Sequence, residues 1–151
     1  MSTRSRIGIL ETDGKIKSIY CHSDGYPSWN GRILLENYVN LDKIRELLSL
    51  GDLGTLGEEI GEKHQYDYKE RPERQCTFFK RDGGANDVEA IEHNNLKKFF
   101  DYLNKSDQEY FYLWHVADSK WVWGEVEWRQ KTKPSNSSIK DLTSEDVKGE
   151  G

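Results

Sequence analysis

Alternating apolar and polar side chains open the chain and predict a pair of β-strands. The two runs, 6–11 and 16–22, are separated by a Thr-Asp-Gly-Lys turn at 12–15. An Asp-Gly pair offers the positive φ angles that a tight hairpin requires. Alternation places Ile7 and Ile9 on the same face of the first strand. Neither strand has a purely polar side, so we expect this hairpin to lie in the centre of a sheet.

Apolar residues at helical spacing predict three helices. The first follows Asn30, whose side chain can accept hydrogen bonds from the exposed amides of a helix start. The second begins near Asp42 and ends at Gly51, which provides a left-handed stop. The third begins at Asn94 or Asn95 and is strongly amphipathic. Its apolar stripe, which must cover the sheet, consists of Leu96, Phe99, Phe100 and Leu103.

Two further pairs of strand-like runs follow later in the chain. Residues 76–79 and 88–91 flank a glycine-containing loop and predict a second hairpin. Residues 109–117 and 121–128 predict a third hairpin with aromatic side chains on both faces. The order of elements predicts the α+β class, with an antiparallel sheet built from hairpins and helices mainly on one face.

Length and composition predict one domain followed by a tail. The 151 residues include five Trp, eight Tyr and five Phe, which supply a small, aromatic-rich core. We expect a single α+β domain over 1–128. Residues 129–151 are rich in Ser, Lys and Glu and contain no aromatic side chain. Such a composition does not offset the entropy lost on ordering, so this stretch is predicted to be a disordered tail.

The charge balance limits the class of partner. The net charge of the whole chain is −5, and the net charge of residues 1–128 is −6. A negatively charged domain repels a phosphate backbone, so duplex nucleic acid is not expected as a partner. No apolar run of about 18 residues is present, which predicts no membrane association. Only two cysteines occur, Cys21 and Cys76, which favours a reducing, cytosolic setting with free thiols.

The densest group of chemically versatile side chains lies directly after the second strand. Residues 20–31 read Tyr-Cys-His-Ser-Asp-Gly-Tyr-Pro-Ser-Trp-Asn-Gly. A loop that leaves a rigid strand is where binding groups usually sit. The rings would stack on a ligand, the polar tips would form hydrogen bonds, and amides at the helix start would receive an anionic group. The predicted recognition residues are Tyr20, His22, Asp24, Tyr26, Trp29, Asn30 and Gly31.

Two other interpretations of this loop stay open. Its aromatic side chains, Tyr26 and Trp29, could instead pack into the edge of the core. Cys21 could be the nucleophile of a small hydrolase, since His22 is next to it. Successive side chains of a strand point to opposite faces, however, which aims His22 away from the sulfur and favours a buried core cysteine. No metal-ligand or cofactor-binding spacing is present, so the sequence predicts no metal, no cofactor and no catalytic residue.

Several short segments resemble one group of proteins. Three segments carry this resemblance: Met-Ser-Thr-Arg-Ser-Arg-Ile-Gly at the start, Tyr-Cys-His-Ser-Asp-Gly-Tyr-Pro at 20–27, and Asn30-Gly31 with Leu34-Leu35. They resemble segments of small uncharacterised accessory proteins of tailed bacteriophages. The resemblance is good over about residues 1–57 and loose over the remainder, and it brings no established catalytic residues. It implies an accessory, non-structural product, made in the host bacterial cytoplasm, that disarms a host defence or redirects host machinery.

These observations together predict a non-enzymatic binding protein that acts on a host pathway. Its partner would be either a nucleotide-like signal molecule, which it sequesters, or a host protein, which it blocks. Two alternatives remain at this point. One is the cysteine-dependent hydrolase, and the other is an interaction protein whose aromatic surface joins copies into a homo-oligomer.

Overall fold

The computed structural model describes residues 3–64, 66, 74–84, 89–126 and 139–148. Within these residues, an eight-stranded sheet is combined with three α-helices. The prediction of the α+β class is therefore confirmed. The single domain predicted over 1–128 stays a prediction.

The strands are short and spread over the whole described chain. They are β1 Ser5–Leu10, β2 Ile16–Cys21, β3 Leu53–Thr55, β4 Thr77–Phe78, β5 Ile91–His93, β6 Tyr110–His115, β7 Lys120–Glu125 and β8 Lys140–Asp141. The α-helices are α1 Arg32–Asn37, α2 Leu41–Ser49 and α3 Leu96–Asn104. A π-helical turn, Pro27–Gly31, leads directly into α1, and a 3₁₀ turn, Val116–Asp118, joins β6 to β7.

The sheet is mixed, so the prediction of an antiparallel sheet is wrong in this respect. Its strand order is β4-β3-β2-β1-β6-β7-β8, and β5 pairs with β2 off this path. β1 pairs antiparallel with β2 and parallel with β6. β2 also pairs in parallel with β3, where Cys21 lies opposite Leu53. A parallel pair of strands needs a long crossover connection. Hairpin signals in the sequence concern neighbouring strands only, so they do not predict parallel pairs.

The first and third predicted hairpins are confirmed, and the second is wrong. β1 and β2 pair along their length, as do β6 and β7. The two runs of the expected second hairpin pair elsewhere, because β4 joins β3 and β5 joins β2. β1, which was expected in the centre of the sheet, does lie between two neighbours, β2 and β6.

Both faces of the sheet are apolar and both are covered. Helices α1 and α2 pack on the face that carries Ile7, Ile9 and Ile19. Helix α3 packs on the opposite face, which carries Leu10 and Phe111. The expected one-sided arrangement therefore holds for α1 and α2 but not for α3. Side-chain alternation in β1 serves both layers, which explains why neither of its faces is polar.

Two helices begin at asparagine side chains that cap them, and the predicted glycine follows α2. The Asn40 side chain accepts hydrogen bonds at the start of α2, including one of 2.8 Å from the amide of Asp42. Gly51 follows α2 with a left-handed φ of 85°. The Asn95 side chain accepts from the amide of Lys98 at 2.9 Å and caps α3. These caps satisfy amides that a helix start leaves unpaired.

Part of the predicted disordered tail is ordered. Within 139–148, β8 pairs with β7, and the side chains of Leu142 and Val147 are buried. Arg32 on α1 donates from Nη2 to the carbonyl oxygen of Val147 at 2.9 Å. The prediction of disorder is thus wrong for these ten positions, because two apolar side chains give them a place in the core. Residues 129–138 and 149–151 lie outside the described residues.

Candidate functional site

The loop at 20–31 is held close to the sheet. The amide of Gly25 donates to the carbonyl oxygen of Thr3 at 2.8 Å, and Tyr112 Oη donates to the carbonyl oxygen of Gly25 at 2.6 Å. A Cβ atom at Gly25 would lie 2.7 Å from Ser5 Cβ, so glycine is required for this approach. The loop is thereby anchored to the start of β1 and to the middle of β6.

Asn30 points into the protein and ties the loop together. It is fully buried, and its Nδ2 donates to the carbonyl oxygen of Ser23 at 3.1 Å and lies 3.4 Å from both Ser5 Oγ and Cys21 Sγ. Its Oδ1 has no hydrogen-bond partner in the part of the chain that the structure describes. The expectation that Asn30 caps the first helix is wrong, because a π-helical turn precedes α1 and no side chain caps it.

Gly31 is also buried, against the ring of Tyr112. A Cβ atom at this position would lie 3.3 Å from Tyr112 Cε1. The amides at this point therefore do not form the solvent-facing helix start that was predicted to receive an anion. Asp24 has a left-handed φ of 58°, and its carbonyl oxygen accepts from the amide of Asn30 at 3.1 Å. Asp24 acts here as a turn residue, a conformation that Asp tolerates better than most residues.

Trp29 and Tyr26 remain at the surface. The Trp29 side chain is 49% exposed, and Tyr26 is partly exposed. Since a core tryptophan buries nearly all of its surface, Trp29 is not core filler in the way that Trp121 is, at 2% exposed. The anchored loop thus presents an aromatic side chain to solvent from a fixed backbone.

Tyr20 and His22 form a polar pair at the end of β2. Tyr20 Oη lies 2.8 Å from His22 Nδ1, and the two rings meet edge to face. The amide of Tyr20 donates to Asp52 Oδ1 at 2.8 Å. Burial raises the pKa of Tyr20 above its ordinary value. In the β1–β2 register, Tyr20 lies opposite Arg6, which places it on the face that α3 covers.

Cys21 has the surroundings of a core thiol. It is fully buried, and burial raises its pKa to about 12. Its sulfur contacts the Asn30 amide and the carbonyl oxygen of Ser23, and no described histidine forms a hydrogen bond with it. A nucleophilic cysteine needs the opposite, an accessible sulfur beside a cation or a base. The geometry therefore lacks what the hydrolase interpretation requires.

An apolar groove lies beside α1. It was not among the sites predicted from the sequence. It has a volume of about 350 Å³ and opens between the α1–α2 connection, the β6–β7 turn and the C-terminal segment. Val39, at its rim, is 64% exposed. The signal in the sequence was Val39 itself, an apolar residue flanked by Tyr38 and Asn40 between two helices. The groove is lined mainly by apolar side chains, among them Leu35, Val39, Leu41, Trp114, Trp121 and Leu142.

The lining of the groove contains one charged residue, Lys120. Its Nζ lies 3.0 Å from Asp141 Oδ1, so its charge is already paired. Trp114 and Trp121 meet edge to face, with their ring centroids 5.5 Å apart. Trp121 is fixed further, because its Nε1 donates to the carbonyl oxygen of Tyr38 at 2.8 Å. The groove is therefore rigid on its sheet side and chemically apolar.

The described part of the chain contains neither a metal-ligand cluster nor a membrane-spanning helix. Within it, no three His, Cys, Asp or Glu side chains come together as ligands for a metal ion. None of its helices combines the length and the apolar character needed to cross a bilayer.

No family model matches this chain, and no match is found among curated proteins or among solved structures. The resemblance to phage accessory proteins therefore stays a prediction.

Proposed function

We propose that this protein is a non-enzymatic binding protein that docks on a partner protein through the groove beside α1. The observation that carries the proposal is the exposure of Val39 at the rim of a rigid apolar groove. An exposed apolar side chain next to such a groove is typical of protein–protein contact sites. The burial of Cys21 supports binding over catalysis.

The chemistry of the lining favours an apolar anchor from a protein over an anionic small molecule. Lys120 is already paired with Asp141, so no free cation among the lining residues would attract a phosphate. The volume of about 350 Å³ lies at the small end of the range for ligand pockets. A partner segment that inserts a large apolar side chain would remove Val39, which is 64% exposed, from water, which favours association.

Trp29 extends the surface available to a partner. Trp29 and Val39, both exposed, flank α1 on its two sides in the sequence. The C-terminal segment links this helix to the groove, because Val147 accepts a hydrogen bond from Arg32 while Leu142 lines the groove. Tryptophan is among the residues that most often dominate the energy of an interface.

The biological setting in the proposal follows from the resemblance of residues 1–57. We place the protein among accessory products of tailed bacteriophages, acting in the host bacterial cytoplasm against a host pathway. The partner is then a host protein whose activity is blocked when an apolar anchor of that protein is held in the groove.

A second candidate partner is a nucleotide-like signal molecule, and the half-exposed ring of Trp29 favours it. Bases stack well on exposed aromatic side chains. This candidate predicts a rise in melting temperature with nucleotides that is lost in Trp29→Ala. A thermal shift that persists in Trp29→Ala would remove Trp29 from the binding site.

The groove is tested by two matched charge substitutions. Val39→Asp places a carboxylate at the rim, and Thr12→Asp places the same charge in the exposed β1–β2 turn. Bacterial proteins that the wild type retains are identified by mass spectrometry, and the affinity of the purified partner for each variant is then measured. We expect at least tenfold weaker binding by Val39→Asp and a change below twofold for Thr12→Asp. Equal binding by both variants contradicts the proposal.

The oligomeric alternative is separated by light scattering after size-exclusion chromatography. A monomer at all concentrations excludes a second copy of the chain as the occupant of the groove. A dimer that Val39→Asp dissociates would make the second copy the occupant instead of a host protein.

A further inference from the structure

A buried arginine lies between the sheet and α3. Arg6 on β1 is only 2% exposed. Its Nε donates to Ser18 Oγ at 2.7 Å, and its Nη2 donates to the carbonyl oxygen of Ser18 at 3.3 Å. The guanidinium carbon lies 4.7 Å from the ring centroid of Tyr102 on α3. Ser18 thus bonds one edge of the guanidinium, and the ring of Tyr102 covers one of its faces.

Among the described residues, the Arg6 guanidinium makes no direct contact with an acidic side chain. No carboxylate in the described part of the chain forms an ion pair with Arg6, and no acceptor there bonds its Nη1. Asp52 acts on Arg6 only through its longer-range charge, and its Oδ1 accepts the amide of Tyr20. A guanidinium stays protonated even when buried, so this charge cannot be removed by titration. A buried charge without a directly bonded counter-charge is costly, which points to a group that is supplied from outside.

The other polar neighbours of Arg6 are uncharged. Ser18 Oγ lies 2.9 Å from His93 Nε2, and His93 is buried against the rings of Phe99 and Tyr102. Arg6 Nε can only donate, so Ser18 Oγ accepts from it and keeps its own hydrogen for His93. Burial, together with the charge of Arg6, lowers the pKa of His93 to about 4. Neither Ser18 nor His93 therefore compensates the arginine.

Two partly exposed tyrosines border Arg6 and connect it to the surface. Tyr20 lies directly opposite Arg6 in the β1–β2 register, and Tyr102 lies over the guanidinium. Arg4, just before β1, carries a second positive charge, which is paired with Asp107 at 3.3 Å. Asp107 and Asp52 thus face these two arginines, but neither carboxylate forms a hydrogen bond with Arg6.

We propose that Arg6, bordered by Tyr20 and Tyr102, forms a binding site for a small anion that carries a phosphate or carboxylate group. The free Nη1 and the remaining hydrogen of Nη2 lie along one edge of the guanidinium, where they donate two parallel hydrogen bonds to an oxyanion. The site is on the face of the sheet opposite the groove. It is independent of the proposed docking function.

The site is tested on the wild-type protein by nuclear magnetic resonance. Inorganic phosphate is titrated at constant ionic strength against sodium chloride, while the Nε–Hε signal of Arg6 and the amide signals of Tyr20 and Tyr102 are followed. We expect saturable shifts at these three residues with phosphate and not with chloride. Parallel titrations with succinate and with adenosine monophosphate distinguish a carboxylate, a free phosphate and the phosphate of a nucleotide. An Arg6 signal that none of these anions moves in a saturable way overturns the proposal.

Matched variants assign the binding to Arg6. Arg6→Lys keeps the charge but loses the planar fork, and we expect at least tenfold weaker phosphate binding. Arg45→Lys, at an exposed position on α2 that is already paired with Glu11, should change the affinity by less than twofold. Val39→Asp should bind phosphate as the wild type does, even if it has lost the partner protein. Wild-type affinity in Arg6→Lys contradicts the assignment, and the wild-type titration decides alone if this variant does not fold.

Discussion

Trp29 and Asn30 are neighbours in the sequence and face opposite environments, since the Trp29 side chain is 49% exposed and Asn30 is fully buried. The hydrogen bond from Asn30 to the carbonyl oxygen of Ser23, with the contacts of Asn30 to Ser5 and Cys21, stabilises the loop from its buried side. The same backbone turn directs Trp29 outward. Structural and recognition roles are therefore divided between adjacent residues of one segment.

This division predicts opposite outcomes for two alanine variants. Asn30→Ala removes the hydrogen bond that the buried Asn30 side chain donates to the Ser23 carbonyl oxygen, and it should lower the free energy of unfolding by about 1–3 kcal/mol. Trp29→Ala removes a half-exposed ring and should lower it by less than about 1 kcal/mol. Urea unfolding of the two variants provides the comparison, each serving as the control for the other. A larger loss for Trp29→Ala than for Asn30→Ala would show that Trp29 supports the core.

The burial of Cys21 predicts very slow alkylation of the folded protein. With its pKa raised to about 12 from 9.0, the thiolate fraction at pH 8 falls about 10³-fold relative to an unperturbed thiol. Iodoacetamide modification, quantified at Cys21 by peptide mass spectrometry, should be slower than that of free cysteine by at least this factor. Urea should accelerate it to the rate of free cysteine. Fast modification of the folded protein, with an apparent pKa below about 8.5, would instead support the hydrolase interpretation.

The buried imidazole of His93 predicts a loss of stability in mild acid. Its folded-state pKa of about 4 lies below the unfolded value of 6.5. Between these two values the unfolded chain binds a proton that the folded protein does not, so stability falls as the pH is lowered through this window. From pH 7 to 4.5, the wild type should lose on the order of 2 kcal/mol more than His93→Gln, which does not titrate. Parallel pH profiles of the two proteins, measured by urea unfolding, would contradict the burial of a neutral His93.

The ordered C-terminal segment predicts a clear effect of truncation. Removal of residues 139–151 takes away β8 and the buried side chains of Leu142 and Val147. We expect the free energy of unfolding to fall by about 2–4 kcal/mol, because each buried apolar side chain contributes about 1.5–3 kcal/mol before the entropy of ordering is subtracted. Removal of 149–151 alone is the matched control and should leave stability unchanged. Equal stability of the two truncated chains would mean that this segment does not hold the core.

Local sequence patterns predicted the elements whose partners are near in the chain. The Asp-Gly turn and the alternation in 6–22 were enough for the first hairpin, and the spacing of Phe99 and Leu103 was enough for α3. The parallel pairing of β1 with β6 could not be predicted, because it joins strands that are far apart in the sequence. β4 has only two residues, too few for any periodic signal.

The candidate sites, too, depend on contacts between residues that are far apart in the sequence. The sequence pointed to the loop at 20–31 from its residue types, but it could not tell that Asn30 turns inward while Trp29 turns outward. The groove beside α1 brings Val39 together with Trp114 and Leu142, which only the tertiary fold makes neighbours. The burial of Arg6 could not be predicted from the sequence either, because an arginine in a strand is usually exposed to solvent.

The most direct test of the proposed docking function is the affinity of the purified partner protein for four forms of this chain, measured by isothermal titration calorimetry. These are the wild type, Val39→Asp, Trp29→Ala and the control Thr12→Asp. We expect Val39→Asp to weaken binding at least tenfold, Trp29→Ala to weaken it by a smaller factor, and Thr12→Asp to match the wild type. Wild-type affinity in Val39→Asp, with its fold intact, would contradict the assignment of the groove as the docking site.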